Sequence, residues 1–124
     1  MYDDISVNNN QSIHNFEMVV DGHRAFIEYK QRGDTFYLIH TEVPVALEGR
    51  GVAGALVEKT FHYLEEHHFK MVPYCVYIKA YLKKHPEWER LLAWMYGQTN
   101  KNQRFNNSLA KFVLRGNGIS PTQI

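Results

Sequence analysis

The sequence has a single cysteine and almost no net charge, and both shortages exclude classes of function. One cysteine in 124 residues rules out an internal disulfide, which favours a reducing compartment. A formal net charge of +1 gives no broad attraction to nucleic acid or to anionic lipid, so any anion-binding site must be local. We therefore expect no nucleic acid and no membrane among the partners of this protein.

Targeting signals and long apolar runs are also missing. No basic stretch followed by an apolar one stands near Met1, and no apolar run approaches the roughly 20 residues that cross a bilayer. These absences predict a soluble, cytoplasmic protein. A hydrophobic content of 44% over 124 residues is enough for one compact domain with a sizeable core.

The spacing of a metal site is absent too, although the chain has seven histidines. The segment Glu65-Glu66-His67-His68 lacks the His-Glu-x-x-His spacing of a zinc protease, and Cys75 has no chelating neighbour in the sequence. A solvated helix end accounts for the segment, and we expect no metal.

What the first half of the chain does contain is the pattern of an antiparallel meander. A polar lead over residues 1–14, which we expect to be loose, is followed by alternating residues from Asn15. Asp21-Gly22 predicts a hairpin turn, because both central positions of such a turn need positive φ. The return strand is predicted over His23 to Lys30 and a third strand over Thr35 to Val43.

On the third strand, polar side chains continue an apolar face. Strict alternation predicts one face with Phe36, Leu38, His40 and Glu42, and an opposite face with Tyr37, Ile39, Thr41 and Val43. His40 and Glu42 would then lie side by side just before the next loop. They are either the solvated end of a strand or a pair with a chemical role, and periodicity leaves both readings open.

A glycine-rich loop follows, and a helix begins directly after it. Gly49, Gly51 and Gly54 precede or open an apolar stripe of helical spacing that starts at Val52 and is predicted to end near His67. Glycines let the backbone approach a ligand, and the first unpaired amides of a helix point at whatever binds. A strand, a glycine loop and a helix N-terminus in this order predict an anion site, usually for phosphate.

The remainder of the chain reads as one more strand and two short helices. Phe69 to Val76 is strand-like but contains Pro73, so this strand must lie at an edge or diverge from its neighbour there. A helix is predicted from Tyr77 to Lys84, and Pro86 could open another one through Leu92. Residues 93–124 have no assignable role.

This order of elements resembles the GNAT superfamily of acyl-CoA-dependent N-acyltransferases, and most closely its compact single-domain branch. Three segments carry the resemblance: Ile-His-Thr-Glu-Val-Pro from 39, Gly-Arg-Gly-Val-Ala from 49, and Val-Pro-Tyr-Cys-Val-Tyr-Ile-Lys-Ala-Tyr-Leu-Lys-Lys-His-Pro-Glu-Trp from 72. The family's pyrophosphate motif falls on Glu48 to Ala53. Its first position is Glu48 rather than Gln or Arg, but a cradle of backbone amides does not need that side chain.

The resemblance implies an α/β fold with a mixed sheet of about five strands and helices packed on it. The N-terminal half of the sheet would be antiparallel, and a splayed parallel pair would lie at the CoA site. It also implies a division of the chain into a loose lead (1–14), a compact acetyltransferase domain (15–92) and a C-terminal extension of unknown role (93–124).

The function implied is that of an N-acetyltransferase that moves an acetyl group from acetyl-CoA to an amine by direct attack. The amine could be a protein lysine, a protein N-terminus or a small amine. The alternative is a non-catalytic acyl-CoA-binding or regulatory module. The pyrophosphate would lie on the amides of Arg50, Gly51, Val52, Ala53 and Gly54, and the pantetheine would pair with the strand edge at Thr41, Val43 and Val45.

Four residues are candidates for the chemistry. His40 could accept a proton because imidazole is mostly neutral at pH 7, and Glu42 could act through a water or orient His40. Cys75 precedes a helix where open α/β sheets place ligands, so it is either near the thioester, acetylated itself, or simply a small buried side chain. Tyr77 could protonate the leaving thiolate or could only pack.

The acceptor side is expected to be open. Longer members of the superfamily have N-terminal helices that form a wall of the acceptor site, whereas this chain goes almost directly into its first hairpin. The groove would therefore be open, or be completed by the C-terminal extension or by a partner chain, as in a homodimer. An open groove suits an exposed lysine or a protein terminus better than a small metabolite.

Overall fold

The computed structural model describes residues 2–93 of the chain. Within that range the strands are β1 (Asn8–Asn10), β2 (Asn15–Val20), β3 (His23–Arg32), β4 (Thr35–Glu42) and β5 (Lys70–Pro73). The helices are α1 (Val52–Glu66) and α2 (Val76–Lys84), and two 3₁₀ segments cover Val45–Leu47 and Pro86–Leu91. Residues 94–124, most of the predicted C-terminal extension, lie outside the described residues.

The strands form one five-stranded sheet in the order β1-β2-β3-β4-β5. The first four strands are antiparallel to their neighbours, while β4 and β5 are parallel. This confirms the predicted mixed sheet with an antiparallel N-terminal half. The hairpin predicted at Asp21-Gly22 is also confirmed, since both residues have positive φ, 50° and 78°.

The prediction of a loose lead over residues 1–14 is wrong for much of that segment. Asn8–Asn10 pairs with β2 and extends the sheet. Two tyrosine hydroxyls hold the strand: Tyr29 donates to Asn9 Oδ1 at 2.6 Å, and Asn9 Nδ2 donates to the Tyr63 hydroxyl at 3.1 Å. Asparagine has a low β propensity, and these contacts with residues distant in sequence override it.

The core lies between one face of the sheet and the two helices. Both helices bury their apolar side chains in one cluster, in which Leu56 and Phe61 of α1 and Ile78 of α2 are fully buried. Phe61 joins α1 to the C-terminal elements, with ring centroids 5.9 Å from Tyr81 and 5.5 Å from Trp88. The opposite face of the sheet is more open, and Val19 on it is exposed.

The last strand is shorter than predicted and ends at its proline. β5 stops at Pro73, and Val76 is the first residue of α2 rather than the end of a strand. Pro86 does open a helical segment, but one of 3₁₀ type. After it, Ala93 N donates to Met71 O at 2.9 Å, so Ala93, the last described residue, lies beside β5. No helix within residues 2–93 has the length and apolar character needed to cross a membrane.

Candidate active site

The pairing of β4 with β5 ends halfway along β4, and the region between the unpaired part of β4 and the start of α2 is called the slot below. The parallel pairing joins only Thr35–Leu38 to Lys70–Pro73. Leu38 O accepts the last bonds, from Tyr74 N at 2.8 Å and from Cys75 N at 3.1 Å. β4 then continues to Glu42 with no strand pairing on this edge among the described residues. The bonds to Leu38 O come from residues after Pro73, so the pairing ends where the chain turns into α2 rather than at the proline itself.

A β-bulge at Ile39 changes which side chains flank the slot. Leu38 is opposite Tyr29, but His40 is opposite Glu28, so Ile39 has no partner on β3. One extra residue reverses the alternation of all side chains that follow it. From His40 onward, the even-numbered side chains of β4 therefore lie on the opposite face of the sheet from the side chain of Leu38.

The predicted sharing of one face by Phe36, Leu38, His40 and Glu42 is consequently wrong. Phe36 and Leu38 face the helices, where both are buried. His40 and Glu42 face the open side of the sheet, opposite Glu28 and Phe26. Thr41, which strict alternation put on the other face from Leu38, faces the helices because its partner is the buried Ile27.

The main chain of β4 offers hydrogen-bonding groups to the slot at Thr41. Tyr29 N donates to His14 O on the β2 side, so the even-numbered residues of β3 turn their main-chain groups toward β4. His40 and Glu42 pair with two of these, Glu28 and Phe26. Their main-chain groups therefore point to β3, and those of Thr41 between them point to the free edge.

The strand edge does not extend as far as predicted. β4 ends at Glu42, so Val43 lies just beyond the strand, with its side chain packed against the core. Val45 lies in the 3₁₀ segment and is 82% exposed. Of the residues predicted to pair with pantetheine, Thr41 therefore lies in an extended strand with a free edge, whereas Val45 lies in a helical turn.

His40 and Glu42 form a hydrogen-bonded pair on the open face. His40 Nε2 and Glu42 Oε1 are 2.8 Å apart, and both side chains are 54% exposed. A carboxylate can only accept, so Nε2 donates and Nδ1 of the neutral ring is left as the acceptor. The pair can orient an imidazole whose other nitrogen is available to a hydrogen-bond donor on the open face of the sheet.

Cys75 and Thr41 meet on the helix side of the slot. Cys75 is the N-cap residue of α2 and is 8% exposed. Its Sγ lies 3.4 Å from Thr41 Oγ1, a contact in which either atom can donate. The backbone amide of Cys75 is bonded to Leu38 O, so the start of α2 is fixed directly against the last paired residue of β4.

Tyr77 stands in the first turn of α2 with its hydroxyl facing α1. A Cβ placed on Gly54 would lie 3.6 Å from that hydroxyl and 3.9 Å from Tyr81 Cε2. Burial raises the pKa of Tyr77, and the negative charge of a Cys75 thiolate would raise it further. Tyr77 therefore keeps its proton at neutral pH and can donate it. Tyr81 contacts the Phe61 ring, in keeping with a packing role.

The glycine loop presents four unpaired amides at the start of α1. Gly49 and Gly51 adopt left-handed conformations, with φ of 77° and 75°, and Gly51 is the N-cap. The first helical bond runs from Ala55 N to Gly51 O at 3.1 Å. Within residues 2–93, the amides from Gly51 through Gly54 have no hydrogen-bond acceptor. The arrangement can bind an anion, to which the helix dipole would add about 0.3–1 kcal/mol.

Arg50 departs from its expected place in this cradle. Its amide donates to Leu47 O at 3.3 Å, so it is not free. Its guanidinium donates to Asp21 Oδ2 at 2.7 Å, and this bond to the carboxylate raises the pKa of Arg50. Its carbonyl accepts from the Tyr2 hydroxyl at 2.7 Å. The structure ties Arg50 to the β2–β3 hairpin and to the N-terminal segment.

Sequence reasoning missed the bulge, the Thr41–Cys75 contact and the two partners of Arg50. No local signal marks Ile39 as a bulge, and Tyr2 lies in a polar segment without periodicity. The Asp21-Gly22 pair indicates a turn and gives no sign of a contact with Arg50. Among the described residues, no group of three His, Cys, Asp or Glu side chains is arranged to hold a metal ion.

Comparison with known proteins gives one family and several relatives. A family model described as GCN5-related N-acetyl-transferase matches residues 15–91. Protein NATD1 of Xenopus tropicalis is 39% identical over 64 residues, which cover 51% of this chain and 59% of that protein. Protein NATD1 of Mus musculus and of Homo sapiens are each 38% identical over 64 residues, covering 51% of this chain and 58% and 57% of the relatives. The matched part thus spans less than two thirds of these curated relatives.

Proposed function

Since the chain belongs to the GCN5-related N-acetyltransferase family, we propose that it transfers an acetyl group from acetyl-CoA to an amine by direct attack. One observation carries the proposal: the unpaired part of β4 and the four unpaired amides of α1 both adjoin the start of α2, where Thr41 contacts Cys75 and Gly54 lies beside Tyr77. This combination suits a ligand with a diphosphate at one end and an amide chain behind it.

The donor would be held by main-chain groups. The amides of Gly51, Val52, Ala53 and Gly54 would bind the diphosphate, and the free edge at Thr41 would pair with an amide of the pantetheine. The thioester would then lie near Cys75 and Tyr77, at the start of α2. Direct transfer needs only proximity to Cys75, whereas acetylation of its sulfur would add a second, covalent step.

The acceptor would approach from the open face of the sheet. A lysine amine with a pKa of about 10.4 is neutral in only about one molecule in 2,500 at pH 7, an equilibrium cost of about 4.6 kcal/mol. The ammonium would first lose one proton to water, and His40 would take the second as nitrogen bonds to the acetyl carbon, with Glu42 orienting the imidazole ring. Tyr77 would give its proton to the sulfur as the carbon–sulfur bond breaks, and its phenolate would regain a proton from the solvent.

Two carboxylates next to His40 favour a cationic acceptor such as an exposed lysine. Glu28 lies directly opposite His40, and no ion pair joins Glu28 to a cation among the described residues. Glu42 has only His40 as a partner in the same range. Two carboxylates beside the proposed base would attract an ammonium group.

The cytoplasm is the proposed compartment. A homodimer is one way in which the open face of the sheet would gain a second wall for the acceptor site.

A steady-state assay of CoA release with varied amines tests the function. The wild-type chain should turn over a lysine peptide, and His40→Ala should lower kcat by roughly 10²-fold or more. His23→Ala is the matched control, because His23 is exposed at the start of β3. If acetyl-CoA binds without turnover of any amine, the non-catalytic acyl-CoA-binding module is the better description.

A further inference from the structure

We propose that Tyr2 and Asp21 are positioning residues that hold the glycine loop in its anion-binding conformation before the ligand arrives. The inference rests on the proposed function, because the anion in question is the diphosphate of CoA. Both residues act through Arg50, at the point where the loop turns into α1. Neither residue needs to touch the ligand.

Tyr2 controls the direction of the first amide of the cradle. Its hydroxyl donates to the carbonyl of Arg50 at 2.7 Å. A trans peptide is planar, so the C=O of Arg50 and the N–H of Gly51 point in opposite directions. A carbonyl held toward Tyr2 therefore turns the Gly51 amide away from Tyr2, and that amide is one of the four without an acceptor in the described residues.

Asp21 provides a second anchor from a different element. Its carboxylate accepts from Arg50 Nη2 at 2.7 Å, and its own backbone is fixed in the β2–β3 turn with a φ of 50°. The Arg50 amide adds a bond to Leu47 O. Three different parts of the fold thus hold Arg50: its amide is bonded to Leu47, its guanidinium to Asp21 and its carbonyl to Tyr2.

The loop needs such anchors because of its glycines. Gly49 and Gly51 both adopt φ values that favour glycine, and a glycine loop without tethers has many accessible conformations. A ligand that must order the loop loses affinity, while a loop that is already ordered avoids that loss. Tethering Arg50, which lies between the two glycines, restricts the loop where it is most free.

The N-terminal segment is built to present Tyr2 to the loop. Tyr2, Ile5 and Val7 pack against the hydrophobic core, and Ile5 N donates to Tyr2 O at 3.1 Å to close a turn. Tyr2 lies outside residues 15–91, which match the family model. Tyr2 therefore supports the cradle from a segment that precedes the residues matched by the family model.

The test compares acetyl-CoA with S-acetylpantetheine, which lacks the diphosphate. Tyr2→Phe keeps the ring and removes only the hydroxyl. We expect it to raise the Kd for acetyl-CoA, measured by calorimetry, by roughly 5-fold, as for the loss of one hydrogen bond of ordinary strength. The Kd for S-acetylpantetheine and the kcat at saturating acetyl-CoA should not change. Asp21→Asn should act in the same direction.

Tyr63→Phe is the matched control. Its hydroxyl also holds the N-terminal segment, by accepting from Asn9, and within residues 2–93 no hydrogen bond joins that hydroxyl to the loop. If Tyr63→Phe weakens acetyl-CoA binding as much as Tyr2→Phe, general loosening of the segment is responsible and the proposal is overturned. Equal loss of affinity for both donors, or no loss for either, also overturns it. If the wild-type chain binds no acetyl-CoA at all, the proposed function itself fails.

Discussion

Replacement of Gly54 by alanine separates the stability of the fold from its proposed chemistry. Gly54 is the third residue of α1 and does not have a positive φ. A Cβ there would meet the Tyr77 hydroxyl at 3.6 Å and Tyr81 Cε2 at 3.9 Å, which are ordinary van der Waals distances. The backbone and its surroundings thus accept alanine, and nothing in the packing requires glycine at this position.

The expected gain in stability follows from helix propensity. Alanine is better than glycine in a helix by about 0.8–1.0 kcal/mol, and less in the first turn, so we expect Gly54→Ala to stabilise the fold by up to about 1 kcal/mol. For a domain of this size, 1 kcal/mol corresponds to a rise in Tm of about 4–8 °C. The amide of residue 54 remains, so the affinity for acetyl-CoA should change little.

The catalytic effect should have the opposite sign. The added methyl group stands beside the hydroxyl of Tyr77, where the proposed leaving thiolate collects its proton. We expect kcat to fall by about 10-fold, which is less than the roughly 10²–10⁴-fold that a general acid contributes, because the hydroxyl is shielded rather than removed. In a Tyr77→Phe background the same substitution should have little further effect on kcat, because the group that it shields is gone.

Thermal unfolding and steady-state kinetics of the same preparations provide the measurement. Ala53→Gly is the control: it makes the reverse exchange one residue earlier in α1 and should lower Tm. A lower Tm for Gly54→Ala would contradict the packing argument. A higher Tm with an unchanged kcat would show that the Tyr77 hydroxyl does not serve as the acid.

Three further predictions follow from single residues. Thr60 Oγ1 is buried without a hydrogen-bond partner among the described residues, so Thr60→Val should raise the free energy of unfolding by about 1 kcal/mol in denaturant titrations; a decrease would reveal a partner. Burial raises the pKa of Tyr81 to about 12, so the unfolded chain ionises first and stability falls from about pH 10 to pH 12. Tyr81→Phe should lose less stability over that window, and an equal loss would refute the assignment. Cys75 should carry no acetyl group when the chain is denatured rapidly after mixing with acetyl-CoA, and an added acetyl mass on Cys75 would instead establish covalent transfer.

The sequence by itself determined the elements whose signals are local. Asp21-Gly22 specifies a hairpin through two positive φ values, and the apolar stripe from Val52 specifies α1 through its 3.6-residue period. Gly51 before that stripe indicates where the helix begins and where its amides are free. Pro73 indicates where β5 ends. Each of these signals depends on residues that are close together in the chain.

Only the tertiary structure decided which side chains meet at the site. The bulge at Ile39 is a matter of register between β4 and β3, and it reverses the faces of His40 and Thr41 without any mark in the local sequence. Arg50 is bonded to Asp21, 29 positions away, and to Tyr2, 48 positions away. Periodicity reports the geometry of one element at a time, whereas register and long-range hydrogen bonds depend on how separate elements pack together.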